Sequence, residues 1–216
     1  DYEIGQLVSK SVISEEVVDI FAAAGLDKPD LSILSDEFLE EIRNLPQKNL
    51  ALELMRRLLD DRIRYIAEKN VVQAKKFSEM LEASVIQYQK RSLETAEVIQ
   101  ALVDMARDMN ELSKRGEQLG LSDDELAFYD AISSNESARE FYENEVLKQI
   151  ARELTISVKK NIKVDWNIRE SVRAQMRITI KRLLRKYKYP PDKQAAAVDL
   201  IMEQAATMCE NEVNEI

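Results

Sequence analysis

Four glycines and four prolines are all that a chain of 216 residues has available for bending. An all-β architecture spends such residues on a turn every few positions, because tight turns need either a left-handed backbone or a preset φ. Most of this length must therefore be long helix. With 45% of residues hydrophobic and 33% charged, the chain can bury a substantial core as one large or two small domains. The fold class expected is all-α, a multi-helix bundle of long antiparallel helices with short linking helices.

The pattern of caps and apolar spacings divides the chain. Ser14, Glu15 and Glu16 open a first helix that Gly25 stops, with Val17, Ile20, Phe21 and Ala24 on its buried face. Asp27-Lys28-Pro29-Asp30 is a turn, and Ser35 starts a short helix that Pro46 ends. Asn49 is the expected cap of a long helix through Leu54, Met55, Leu58, Leu59, Ile63 and Ile66. Asn70 separates it from a second, through Phe77, Leu81 and Tyr88, that ends near Arg91. Ser92 opens a third, carrying Val98, Leu102, Ala106 and Met109, which Gly116 and Gly120 weaken and end. Ser122 to Glu125 spell a capping box. Asn135 caps a further long helix from Phe141 and Tyr142 through Val146, Ile150 and Leu154, and Ile156–Val164 is read as its continuation rather than as a strand. A last helix follows Pro191, through Val198, Ile201 and Ala205.

One segment breaks the charge balance. Between Asp165 and Asp192 eight Lys or Arg face three acids, so a chain of net charge −9 carries −14 elsewhere. Asp165 or Asn167 caps this helix and Pro190-Pro191 stops it. Ile168, Val172, Met176, Ile180, Leu183, Leu184 and Tyr187 share one apolar arc at helical spacing. Arg173, Arg177, Lys181 and Arg185 form the adjoining stripe, each one turn above the last, with Arg182, Lys186 and Lys188 nearby. Two readings stand: a stripe that follows phosphates or grips an acidic partner, and a solvated face that neutralises acids within its own fold. Trp166 reads as a core anchor, since a single aromatic does not make a base-stacking surface.

Chemistry finds little purchase. The absence of His removes the commonest general base and the usual zinc, di-iron and triad arrangements. No G-x-x-x-x-G-K-[ST] loop is present, so ATP hydrolysis by this chain alone is not expected. Pro29-Asp30 and Pro191-Asp192 resemble half of a metal-nuclease motif but lack the acid-x-lysine that completes it, and they read as turns. The pairs Glu40-Glu41, Asp60-Asp61 and Asp123-Asp124 diverge by about 100° on a helix and read as surface charge. No apolar run approaches a membrane span, the start Asp1-Tyr2-Glu3 is unlike a signal peptide, and the lone Cys209 fits a reducing, cytoplasmic compartment.

Six motifs in fixed order carry a resemblance. They are KPDLSILSDEFL from Lys28, KNLALELM from Lys48, FSEMLE from Phe77, LSDDELAFYDA from Leu121, VDW from Val164 and KRLLRKYKYPPD from Lys181. Together they resemble the C-terminal helical region of the restriction (R) subunit of type I restriction–modification enzymes. The resemblance implies a parent with a nuclease domain and two motor lobes, performing site-specific DNA cleavage and ATP-driven translocation with ATP and Mg²⁺. It places none of those catalytic residues here, and no catalysis or cofactor is expected in this chain. Residues 1–27 would be the junction after the motor lobes, 28–120 a first helical part and 121–216 a second that contains the basic helix. The implied partners are the methyltransferase and specificity subunits. DNA binding local to the basic helix is the companion expectation, and its rival form is an independent nucleic-acid-binding module acting through residues 167–188.

Overall fold

The computed structural model describes residues 34–90, 93–161, 170–191 and 193–214. The expected junction over 1–27, the turn at Pro29, the start at Ser92, and Trp166, Ile168 and the cap at Asp165 or Asn167 lie outside them. Among the described residues there is no strand. The helices are α1 (Asp36–Asn44), α2 (Lys48–Ala67), α3 (Val71–Gln89), α4 (Thr95–Leu119), α5 (Asp123–Ser133), α6 (Glu136–Phe141), α7 (Asn144–Asn161), α8 (Glu170–Lys186) and α9 (Gln194–Asn214). None is long and apolar enough to cross a membrane. The all-α expectation holds.

Local chemistry sets most of the starts. Ser35 Oγ accepts from Phe38 N–H at 3.2 Å to cap α1. At α5 the capping box is complete, Ser122 Oγ accepting from Glu125 N–H and Glu125 Oε2 from Ser122 N–H. Asn135 Oδ1 accepts from Ser137 N–H at 3.1 Å. Two expectations are corrected. Asn49 does not cap α2, which already begins at Lys48; its Oδ1 accepts from Tyr88 Oη instead. The helix expected to run on from Phe141 is broken at Tyr142 and Glu143, leaving α6 and α7 as separate helices. Tyr142 takes extended backbone there, its hydroxyl donating to Tyr187 C=O at 2.6 Å while its ring stacks on Tyr189. A tertiary hydrogen bond and ring contact outweigh the helical pattern.

The described residues form two units, each with interleaved segments. Residues up to Ile63 and Phe77–Ser113 make the first, and Arg64–Lys76 with Lys114 onward the second. The first is packed around Leu39, Ile42, Leu54, Met55, Leu58, Leu59, Ile99 and Leu102, all essentially inaccessible. Arg107, on α4, reaches Asp36 at 2.9 Å and Glu40 at 3.1 Å, tying α1 to α4.

In the second unit α5 is the middle. Every residue from Leu126 to Ser133 is buried, so this helix has no solvated face beyond its first turn. It packs against α6, α7 and α9, and α8 lies outside α7 and α9. All-round burial forces a polar problem on Asp130, which is 3% exposed. Arg115 Nη1 meets its Oδ1 at 2.7 Å, and Asn70 Nδ2 donates to its Oδ2 at 2.8 Å. Gln204 of α9 completes the arrangement, accepting from Val71 N–H and donating to Lys69 C=O. The turn between α2 and α3 is thereby held to α5 and α9. Removing the Arg115 side chain leaves a buried carboxylate with one neutral donor, so Arg115→Ala is expected to cost about 3 kcal/mol of stability. Urea denaturation followed by helical circular dichroism measures it, and a loss like that of a surface ion pair would mean that Asp130 is less buried than described.

Candidate partner interface on the basic helix

The arc read from the sequence is the one α8 buries. Met176, Ile180, Leu183 and Leu184 are buried and Val172 and Tyr187 half-buried in the second unit's core. What stops the helix is not the prolines. Lys188 has φ 58°, in the left-handed region, and Tyr189 N–H donates to Leu184 C=O while Lys188 N–H donates to Arg185 C=O. These are the two bonds of a Schellman turn, with a lysine where glycine is usual. The same turn ends α4 with Gly120 at φ 64°. Gly116, expected to weaken that helix, sits inside it, where a Cβ would come within 3.1 Å of Leu121 C=O.

The candidate cations divide into two sets. Arg177 pairs with Asp199 of α9 at 2.6 Å, and Lys186 pairs with Glu153 of α7 at 2.8 Å. These two candidates act within their own fold. Arg173, Lys181, Arg182, Arg185 and Lys188 are exposed and make no ion pair among the described residues. On a wheel of 100° per residue Lys181, Arg185 and Arg182 fall within an arc of about 100°, on the side away from the buried arc.

Glu153 is the hub of the paired set. Lys186 Nζ and Tyr187 Oη both donate to it, at 2.8 and 2.6 Å, and these bonds hold its carboxyl below the ordinary value. The same hydrogen bond to Glu153 raises Lys186. Burial first, and then the bond to Glu153, raises the Tyr187 hydroxyl.

The acid pairs of the sequence are partly engaged elsewhere. Glu40 meets Arg43 and Arg107, and Asp124 meets Lys159 at 2.8 Å. Among the described residues no group of three or more His, Cys, Asp or Glu is placed to hold a metal ion. Sequence reasoning passed over Ile178. It is 55% exposed, on the outward side of α8, and its signal was an isoleucine lying off the apolar arc.

Residues 1–211 match the family described as type I restriction enzyme HindI endonuclease subunit-like, C-terminal. The chain belongs to this family. It is 39% identical over 206 residues to the type I restriction enzyme HindI endonuclease subunit of Haemophilus influenzae, covering 95% of this chain and 20% of that protein. It is 35% identical over 185 residues to a putative type I restriction enzyme MjaIXP endonuclease subunit of Methanocaldococcus jannaschii, covering 85% of this chain and 18% of that protein. The chain thus spans about one fifth of the length of these relatives, and it is a C-terminal region of a type I restriction endonuclease subunit. No solved structure matches it.

Two measurements check how α8 is held in this C-terminal region. A carboxyl lowered on folding contributes stability that is present above its unfolded value and lost as pH falls through the folded one. The thermal midpoints of wild type and Glu153→Gln should therefore differ at neutral pH and converge below the ordinary carboxylate range. A difference unchanged at acid pH would put the effect on packing instead. Replacing the left-handed lysine, Lys188→Gly, is expected to stabilise by about 1 kcal/mol, read from the denaturation midpoint.

Proposed function

We propose that this region docks the nuclease and ATP-driven translocase subunit of a type I restriction enzyme onto its methyltransferase and specificity subunits. The region supplies no catalysis. ATP and Mg²⁺ serve the parent's other domains, and the complex acts on foreign DNA in the cytoplasm. The observation that carries the reading is the set of exposed cations on α8, Lys181, Arg182 and Arg185 on its outward face and Arg173 near its start, which stand in solvent with no ion partner among the described residues. Four unpaired cations on one helix raise the rate of encounter with an acidic surface and fix its orientation.

The same cations favour a second reading, local binding of DNA along the helix. Salt separates the two. Phosphate binding falls steeply and in proportion to the contacts made as salt rises, while assembly on a protein partner retains the part that apolar contact supplies.

The test is co-purification of the full endonuclease subunit with the methyltransferase and specificity subunits, with and without DNA. The variant reverses Arg173, Lys181, Arg182 and Arg185 to Glu and leaves Arg177 and Lys186 to their intrachain pairs. The expected result is a complex formed by wild type and lost or greatly weakened by the reversal. A complex indifferent to reversal would move the contact to another face, and salt-sensitive DNA binding without any complex would favour the second reading.

A further inference from the structure

Ile178 is what a phosphate-binding stripe does not call for. On the α8 wheel it lies about 180° from the centre of the arc formed by Met176, Ile180, Leu183 and Leu184. Its neighbours in projection are Arg185 and Ala174 on one side and Ser171 and Arg182 on the other, and one turn further along the helix stand Lys181 and Arg182. More than half of its surface meets water. A DNA backbone offers charge and hydration but no apolar socket. An exposed aliphatic side chain bordered on its C-terminal side by long cationic ones is instead the plan of a protein contact, with an apolar centre and a charged edge.

We propose that the outward face of α8, centred on Ile178 and rimmed by Lys181, Arg182 and Arg185, seats against a protein surface of the methyltransferase–specificity core that presents an apolar socket bordered by carboxylates. This rests on the assembly reading above and names the chemistry of the surface it needs. The occupant is acidic because the rim is cationic and has no counter-charge among the described residues. It is a protein because the centre is aliphatic. Long cationic side chains carry apolar stems that extend such a centre, while their heads reach the bordering acids.

One substitution separates the occupants by the sign of its effect. Ile178→Lys adds a cation, which a phosphate partner gains from and an apolar socket rejects. The experiment uses the full-length endonuclease subunit, titrated against the purified methyltransferase–specificity complex and, separately, against duplex DNA. It compares wild type, Ile178→Ala and Ile178→Lys at low and raised salt, with circular dichroism to verify folding at this solvent-facing position. Ile178→Ala is expected to weaken binding to the core about tenfold and Ile178→Lys by more, with DNA affinity unchanged or slightly raised by the lysine. If wild type binds the core and Ile178→Lys binds it equally well, the face is wrong and the assembly reading stands. Tighter DNA binding by Ile178→Lys with no change at the core makes nucleic acid the occupant. A concentration-dependent dimer in sedimentation, present in wild type and lost in Ile178→Lys, makes a second copy of the subunit the occupant. Failure of wild type to bind the core removes the assembly reading and this surface with it.

Discussion

Asp130 is the residue on which the second unit is organised. A helix buried on every side gains the full apolar burial of Leu126, Phe128 and Ile132, but a carboxylate within it must keep its charge paired or lose several kcal/mol. Arg115 and Asn70 supply the two partners, and they come from different parts of the chain: the end of α4 and the turn before α3. Satisfying one buried acid therefore fixes where two other segments lie. Gln204 adds the reciprocal pair of bonds from α9 to the same turn. The apolar core supplies driving force without direction, whereas these bonds are met in one arrangement only.

With α5 in the middle, the helices around it need one apolar arc each. α8 is such an outer helix, and its own stability has a weak point. Arg173, Arg177, Lys181 and Arg185 form three successive like-charged pairs at four-residue spacing, each unfavourable by about 0.2–0.5 kcal/mol. Asp199 draws Arg177 out of that repulsion and Glu153 anchors Lys186 near the end of the helix. The late cations also lie where the helix dipole favours them. α8 is thus held by its buried arc and by two pairs at its flanks, and the rest of its charge is left pointing outward.

What was readable in the sequence was what depends on neighbours within a few residues. Ser35, Ser122 and Asn135 cap their helices because the bonds span two or three positions, and the arc of α8 follows from period alone. Two of the misses are of longer reach. Nothing near Tyr142 announces a break, since its partner is a carbonyl 45 residues further on. The cations were legible as a cluster, but which of them are neutralised depends on acids 22 and 33 residues away. Lys188 hid a helix end because the turn that needs a left-handed residue ordinarily advertises it with glycine. Asp130 sat unremarked inside LSDDELAFYDA, where its apolar neighbours on both sides were the sign that the helix had no wet face.

The division of labour on the outward face of α8 follows from how charges and apolar groups act at a contact. Exposed cations act over a Debye length of about 8–10 Å, so they gather and orient an acidic partner before any surface touches. Their contribution once bound is small, because rim charges remain solvated and trade one set of hydrogen bonds for another. An aliphatic group does the reverse, contributing nothing at a distance and acting on the lifetime of the complex once water is expelled around it. On the proposed reading the cations Arg173, Lys181, Arg182 and Arg185 and the aliphatic Ile178 have separable effects, the cations on association and its salt dependence, Ile178 on dissociation. The proposed docking role calls for both kinds of residue on one rigid element, and a helix whose opposite arc is locked into a buried core provides that rigidity.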